Sequence, residues 1–245
     1  GNMFKNSYDY QRNLDSHMMK NTEWGSIAYL QHSKYGSMTS VRINNNSANI
    51  TGYAATVEPT LGYAGGTSTA GNRIESTALG VDATYSVNYL NSKSIVASTT
   101  NNYSGIYDMS GGAWEYVMGY TTGATIVGGT SGITSLYPNF FSNSAYSKYW
   151  DRYTSTVNTN YNNRILGDAT GEMGPFGSEK DSDNNTRYKS SWYKDYAWFA
   201  NSSGNLLLRG GGWHDGTSTG VFAFNGNSGG TNTNISFRIV LAPTK

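Results

Sequence analysis

The chain has 245 residues, a formal net charge of +1, 13% charged residues and no cysteine. Its few Lys and Arg are scattered, which argues against a nucleic-acid-binding protein, because such proteins need a concentrated basic patch. No apolar run reaches the ~20 residues of a membrane-spanning helix, and the lack of cysteine excludes disulfides and thiol chemistry. The 20 Tyr and 30 Gly, together with abundant Asn, Ser and Thr, are typical of a loop-rich β protein or of an exported binding protein.

The first predicted element is a helix over residues 18–35, MMKNTEWGSIAYLQHSKY. Asn21 or Thr22 can cap this helix, and apolar residues recur at helical spacing from Trp24 onward. Gly36 supplies the stop signal.

Two stretches follow in which turns dominate. Residues 38–100 are rich in turn residues, so we expect loops with short strands there. Residues 104–120, SGIYDMSGGAWEYVMGY, predict a turn and then a short strand that carries Trp114, Tyr116 and Met118 on alternate positions.

The next part of the chain shows little periodicity. Residues 121–190 are expected to be mostly irregular. Within them the polar stretch 179–191, EKDSDNNTRYKSS, is predicted to be a mobile surface loop.

The C-terminal part is predicted to be β structure. Three runs, NLLLRGG, GVFAF and SFRIVLA, are predicted to be strands, and clusters of Gly, Asn, Ser and Thr separate them. In the middle run, Phe222 and Phe224 are expected on one side and Ala223 and Asn225 on the other.

Two kinds of residue are interleaved in residues 206–242. The first kind consists of arginine, glycine and aromatic residues, which are typical of a fixed scaffold. The second kind consists of small polar residues. An ordinary half-buried sheet explains the alternation. It does not explain why the loops 214–219 and 225–234 contain no Lys, Glu, Gln or Met.

Several blocks carry a family resemblance. GIYDMSGGAWEYV (105–117), LRGGGW (208–213) and SFRIVL (236–241) resemble the formylglycine-generating-enzyme, or sulfatase-modifying, version of the C-type lectin fold. More narrowly, the blocks at 18–36, 105–116, 165–172 and 209–241 resemble, in the same order, those of diversity-generating retroelement variable proteins, in particular gut Firmicute surface or pilin-like proteins.

The resemblance implies an α+β, C-type lectin-like fold with short antiparallel strands, long loops and one or two helices. A single domain would cover residues 18–245, with the variable segment at 206–242, and residues 1–17 would be a linker or the remainder of an upstream segment. In such proteins a reverse transcriptase rewrites adenines at the 3′ end of the gene. Asn codons can then yield His, Asp, Thr, Ser, Gly, Ile and Ala, but not Lys, Glu, Gln, Met or Trp.

The resemblance also divides the residues into a scaffold and a displayed, ligand-binding face. The scaffold would comprise Trp24, Tyr107, Trp114, Arg209, Gly210, Gly211, Trp213, Phe222, Phe224, Phe237 and Arg238. The two arginines are expected to tie loops through hydrogen bonds to backbone carbonyls or carboxylates. The variable face would comprise Gly212, His214, Asp215, Thr217, Thr219, Ala223, Asn225, Asn227, Ser228, Gly230, Asn232, Thr233 and Ile235.

The implied function is non-enzymatic display of a variable surface for ligand binding. The partner would be a protein or glycan on another cell, phage or host surface, without nucleic acid and without direct membrane contact by this segment. The protein would be extracellular or at the cell surface, with its anchor outside this sequence, or on a phage particle. Substituting His214, Asp215, Asn225 and Ser228 together is then expected to leave folding nearly unchanged.

Catalysis is the first alternative. Formylglycine-generating enzymes of the usual type need cysteine, which this chain lacks. The histidines, His17, His32 and His214, form no Ser–His–Asp or metal-ligand spacing. Asp108 and Glu115 could act as an acid pair, although carboxylates beside Gly-rich turns more often bond backbone N–H groups. We therefore expect no catalytic residues, no cofactor and no catalytic metal.

Two further alternatives are binding or structural. A calcium-dependent lectin would carry an acidic residue or Gln before a Pro-Asn pair, but LYPNF (136–140) has Tyr137 there. A structural Ca²⁺ held by Asp and Asn oxygens stays open. A pilus or surface subunit without a dedicated ligand would need the same scaffold, and only the variable face separates it from a binding protein.

Overall fold

The computed structural model describes residues 1–30, 33–36, 106, 109, 111, 113–121, 129–153, 165–170, 176–180, 186–190, 195–198, 206–212, 215 and 218–242. These residues form a mixed arrangement of short helices and sheets, which confirms the α+β class. The helical elements are α1 (Asn2–Tyr10), α2 (Asn21–Leu30), α3 (Gly129–Leu136) and 3₁₀ turns at Arg12–Leu14 and Ser144–Tyr149. The strands are β1 (His17–Met18), β2 (Trp114–Thr121), β3 (Asp151–Tyr153), β4 (Phe176–Lys180), β5 (Thr186–Ser190), β6 (Leu206–Arg209), β7 (Phe224–Asn227), β8 (Ile235–Phe237) and β9 (Ile239–Val240).

Strand β2 is the centre of the main sheet. Along one side β6 pairs with it antiparallel, and β7 pairs antiparallel with β6. On the other side β8 is parallel to its first half and β3 is parallel to its end. Two smaller antiparallel pairs, β1–β9 and β4–β5, complete the described sheets. Every residue of β2 is buried, so this strand has side chains packed on both of its faces.

The two faces of the main sheet belong to two apolar clusters. We call the first the α2 core; it contains Met19, Trp24, Ala28, Met109, Val117, Tyr153, Ala169, Ala197, Leu207, Val221, Phe222 and Phe224. We call the second the α1 core; it contains Phe4, Met18, Trp114, Tyr116, Met118, Ile133, Phe140, Tyr149, Tyr196, Leu206, Leu208 and Ala223. The alternation predicted for Trp114, Tyr116 and Met118 is confirmed, because all three lie in the α1 core while Val117 lies in the α2 core.

The N-terminal segment, predicted to be a linker or the remainder of an upstream segment, forms part of the packed structure rather than an extended linker. Phe4 on α1 is 1% exposed, and its ring meets that of Phe140 edge-on at 4.6 Å. Phe4 and Tyr8 lie four residues apart and therefore on one face of α1. β1 then pairs with β9, which joins this segment to the C-terminal strands.

Helix α2 is shorter than the sequence predicts. It spans Asn21–Leu30, whereas Met18 lies in β1 and residues 33–36 form a turn. The Glu23 carboxylate accepts a hydrogen bond from the Lys20 backbone N–H at 2.8 Å, as in a capping box. The carboxylate of Asp151 accepts another from the Thr22 N–H at 2.7 Å and so satisfies a free donor of the first turn.

The expectation of irregular structure over residues 121–190 is also wrong in part. The stretch contains α3, β3 and the hairpin β4–β5, and the hairpin includes residues from the predicted mobile loop 179–191. Backbone pairing forms this hairpin from a polar sequence that has no apolar alternation to signal it. The prediction of loops and short strands at 38–100 lies outside the described residues.

The predicted β structure at the C-terminus is confirmed, with one shift. NLLLRGG contains β6, and SFRIVLA contains most of β8 and all of β9. GVFAF is a turn followed by the start of β7 at Phe224. Phe222 and Phe224 lie in the α2 core and Ala223 lies in the α1 core, so the predicted opposition of these side chains holds.

Candidate functional site

Arg209 is the centre of the scaffold beneath the C-terminal segment. Its side chain is fully buried, and Nη2 donates to the backbone carbonyls of Ala169 at 3.2 Å and Val221 at 3.3 Å. The guanidinium lies 5.6 Å from the Trp24 ring centroid and 5.7 Å from that of Phe224. Burial lowers the pKa of Arg209 to about 10, so the group stays charged at neutral pH. The expected tie from an arginine to backbone carbonyls is present.

The two glycines after Arg209 have backbone and packing reasons to be glycine. Gly210 and Gly211 have φ angles of 88° and 80°, in the left-handed region that side chains disfavour. A Cβ on Gly211 would lie 2.8 Å from the Cα of Thr219. This close approach brings the chain after β6 against the chain before β7, and Trp24 Nε1 donates to the Val221 carbonyl at 2.6 Å in the same region.

Arg238 ties the end of the C-terminal segment to β2. Its Nη2 donates to Glu115 Oε1 at 2.7 Å. Glu115 is therefore paired with an arginine, as a structural carboxylate would be. Phe237 is half-buried against the α1 core. Asp108, Tyr107 and Trp213 lie outside the described residues.

The residues of the predicted variable face differ in solvent exposure. Ser228, Gly230, Asn232 and Thr233 are exposed, and Asp215, Asn225, Asn227 and Ile235 are half-buried. His214 and Thr217 lie outside the described residues.

Gly212, Thr219 and Ala223 are buried, which corrects their expected exposure. Ala223 does face away from Phe222 and Phe224, but the α1 core covers that side of the chain. Thr219 packs against Gly211. The alternation of side chains was right, whereas the expectation that one side is open to solvent was wrong for these positions.

Two residues of the predicted face hold the segment onto β2. Asp215 Oδ2 accepts hydrogen bonds from Trp114 Nε1 at 2.8 Å and from the Gly212 N–H at 2.7 Å. Asn227 Oδ1 accepts from the Tyr116 hydroxyl and, at 2.8 Å, from the Gly229 N–H. We call these two contacts the Asp215 tie and the Asn227 tie. Sequence reasoning placed both residues among those free to vary.

The Asn227 tie and two further contacts fix the path of the loop between β7 and β8. Tyr116 also lies 2.8 Å from the Gly230 carbonyl, within hydrogen-bond distance of its hydroxyl. Trp114 donates its backbone N–H to the Asn234 carbonyl at 2.8 Å. Burial raises the pKa of Tyr116 to about 12, so its hydroxyl keeps its proton. Residues 228–234 therefore cross the end of the sheet from β7 to β8 in a defined conformation.

The exposed part of this loop offers hydrogen bonds without charge. Residues 225–235, NGNSGGTNTNI, contain amide and hydroxyl side chains and no ionisable group. His17, the one histidine that the structure describes, is buried and packed: its Nε2 lies 3.0 Å from Glu23 Oε1. Across the described ranges, no three His, Asp or Glu side chains gather in a way that could hold a metal ion.

In comparisons with known proteins, no family model and no curated protein sequence matches this chain. No helix in the described part of the chain combines the length and apolar character needed to cross a membrane.

The two ties predict a difference among neighbouring positions of the segment. Asp215→Ala and Asn227→Ala should each lower the free energy of unfolding by about 1–3 kcal/mol, because each leaves donors without an acceptor. Ser228→Ala should change it by less than about 0.5 kcal/mol, and Asp215→Asn should lie close to wild type because it keeps an acceptor oxygen. Urea denaturation of the four variants measures this. Equal free energies of unfolding for Asn227→Ala and Ser228→Ala would show that the Asn227 tie does not stabilise the fold.

Proposed function

We propose that this chain is a ligand-binding display protein with a C-type lectin-like scaffold of the formylglycine-generating-enzyme type, in which retroelement-driven diversification varies the C-terminal segment. The proposed function is ligand binding without catalysis. It rests on the motif blocks of the sequence and on the separation, within one short segment, of buried anchoring residues from exposed polar ones.

The observation that carries the proposal is the loop between β7 and β8. Its ends belong to strands of the main sheet, and the Asn227 tie holds its beginning, at the end of β7, to Tyr116. Between these anchors, Ser228, Gly230, Asn232 and Thr233 are exposed. A surface held in this way loses little conformational freedom when it binds, which lowers the cost of association.

The chemistry of the loop favours a polar, uncharged ligand surface. Asn, Ser and Thr side chains donate and accept hydrogen bonds, as glycan hydroxyls and peptide amides require. This copy has no Tyr or Trp in residues 225–235, and those are the residues that most often dominate binding energy. Another copy with aromatic residues at Asn225 or Ser228 would bind a different ligand on the same scaffold.

A segment exchange tests the proposed function. Residues 212–235 are replaced by the corresponding segment of another chain that carries the same framework blocks, and both proteins are applied to one array of glycans and cell-surface proteins. The binding pattern should follow the segment, while circular dichroism and the melting temperature stay near those of the parent. A pattern that stays with the rest of the chain would contradict display and favour a structural subunit without a variable ligand.

A genomic observation tests the diversification step separately. The gene should lie near a reverse transcriptase and near a second copy of its 3′ segment that differs at adenines. A segment exchange that transfers binding without such a copy would support display and contradict diversification.

A further inference from the structure

A cavity of about 300 Å³ lies beneath the same loop, between the sheet and helices α1 and α3. Its apolar walls come from Met3, Met18, Ile133, Leu136 and Leu206. The volume is at the lower end of the range typical of small-molecule sites. The cavity is partly open to solvent, and its lining joins residues that are far apart in sequence.

One rim of this cavity belongs to the predicted variable segment. Gly229, Gly230 and Thr231 line it, beside Tyr116 of β2. The Asn227 tie fixes this rim, because Asn227 Oδ1 accepts from both the Tyr116 hydroxyl and the Gly229 N–H. We call residues 229–231 the lip of the cavity.

At least one position of the lip, Gly230, can accept an added side chain. Gly229 has a φ of 89°, which disfavours any side chain there. Gly230 is not in that region, and a Cβ built on it meets no atom within 4 Å. A side chain at residue 230 can therefore be added beside the cavity without backbone strain.

The lining selects against charged ligands. None of the described residues that form it carries a charged side chain, and moving a carboxylate or ammonium group out of water into such walls is costly without a partner. The Tyr116 hydroxyl at the lip end keeps its proton and donates it to Asn227 Oδ1.

We propose that this cavity binds a small, uncharged, mainly apolar molecule, and that the lip at residues 229–231 adjusts which molecule fits. The proposal rests on the proposed function only in assigning the lip to the variable segment. Binding in the cavity itself requires no diversification. Asn227 then acts as a positioning residue, since it holds the lip without lining the cavity.

The probes for this site are 4-methylphenol, which is neutral at pH 7, and 4-methylbenzoate, which has the same ring and a negative charge. Binding to the full chain is measured by saturation-transfer difference NMR and by titration calorimetry. 4-Methylphenol should bind, and 4-methylbenzoate should bind at least about tenfold more weakly because its carboxylate must lose water. Equal or tighter binding of the benzoate, or no binding of the phenol, would overturn the proposal.

Variants locate the site. Leu206→Phe places extra atoms into the cavity and should weaken 4-methylphenol binding by about tenfold or more, given the sensitivity of apolar pockets to added carbon atoms. Ile239→Phe, a similar change on exposed β9, should leave it unchanged. If Leu206→Phe does not fold, Leu136→Ala supplies the second readout, because it removes a partly exposed wall residue and should also weaken binding. Unchanged binding in the wall variants would show that the probe binds elsewhere, and it would overturn the cavity site.

The lip is tested by one further pair. Gly230→Trp should change the affinity for 4-methylphenol, whereas Asn232→Trp, on the same loop but outside the lining, should not. Equal effects of the two substitutions on affinity would contradict the role proposed for the lip. Probe binding without transfer of specificity by the segment exchange would contradict the proposed function alone, and transfer without probe binding would contradict the cavity site alone.

Discussion

Phe224→Ala is expected to lower the free energy of unfolding by about 3–5 kcal/mol, the usual cost of truncating a buried phenylalanine. Phe224 is fully buried in the α2 core and packs beside Arg209. Its backbone N–H donates to the Tyr196 carbonyl at 2.9 Å, and its own carbonyl accepts from Trp198 at 3.0 Å. The side chain therefore lies where β7 joins the rest of the sheet, and neighbouring strands limit collapse around the cavity that the change would leave.

The matched control for this change is Ser228→Ala, four residues further along the same segment. Ser228 is exposed, and its loss should shift stability by less than about 0.5 kcal/mol. Urea denaturation of both variants under one condition gives the difference. Similar losses for the two would remove the division of the segment into scaffold and surface, and with it the main support for a variable face.

The local pattern of the strands could be predicted from the sequence because it depends on adjacent residues. Trp114, Tyr116 and Met118 alternate with smaller or polar neighbours, and the period of two assigns them to one side. Phe222, Ala223 and Phe224 follow the same rule. These assignments agree with the two cores.

What covers each side could not be predicted in the same way. Ala223 is buried because residues as distant as Phe4 and Ile133 belong to the α1 core on its side of the chain. Neither residue lies in a strongly periodic segment: α3, GTSGITSL, presents few apolar residues, and residues 1–17 read as a linker. An apolar pair at helical spacing, Phe4 with Tyr8, was the available signal for α1.

The two ties could not be predicted for a different reason. Asp215 and Asn227 have the composition of variable positions, and nothing nearby in sequence marks them as bonded. Their partners Trp114 and Tyr116 lie more than a hundred residues away in the chain. If the segment is diversified as proposed, changes at these two positions alter how the segment is held on β2, whereas changes at Ser228 or Asn232 alter only exposed side chains.

The second large effect on stability is expected from a change at the buried Arg209. Its guanidinium acts electrostatically on Asp168 and Asp195, two acidic residues that are themselves buried. Asp168 is well supplied with other donors, including the Tyr153 hydroxyl at 2.6 Å and the Thr170 N–H at 2.8 Å. Asp195 accepts the Phe222 N–H at 3.2 Å. Removing the arginine would take away a positive charge that acts on these acidic groups.

Arg209→Met should therefore cost about 3–5 kcal/mol, the range for breaking a buried charge interaction by removing one partner. The methionine keeps apolar packing against Trp24 and Phe224, so the loss reports the charge and the hydrogen bonds rather than an empty space. Arg152→Met is the matched control, because Arg152 is exposed on β3, and it should change stability by less than about 0.5 kcal/mol. Equal losses in the two variants would contradict a structural role for the buried charge.

The pH dependence of the same variant separates the charge from packing. Burial raises the pKa of Asp195 well above its ordinary value of 3.8, while the Phe222 N–H and Arg209 oppose this. The folded state thus holds the Asp195 proton more tightly than the unfolded state, so this group's contribution to stability is complete below pH 3.8 and is lost as pH rises through the folded pKa. Arg209→Met removes one opposing charge and raises that pKa further. Its loss of stability should consequently be larger at about pH 8 than at about pH 4 in urea denaturation, and a loss independent of pH would show that the buried arginine does not act on Asp195.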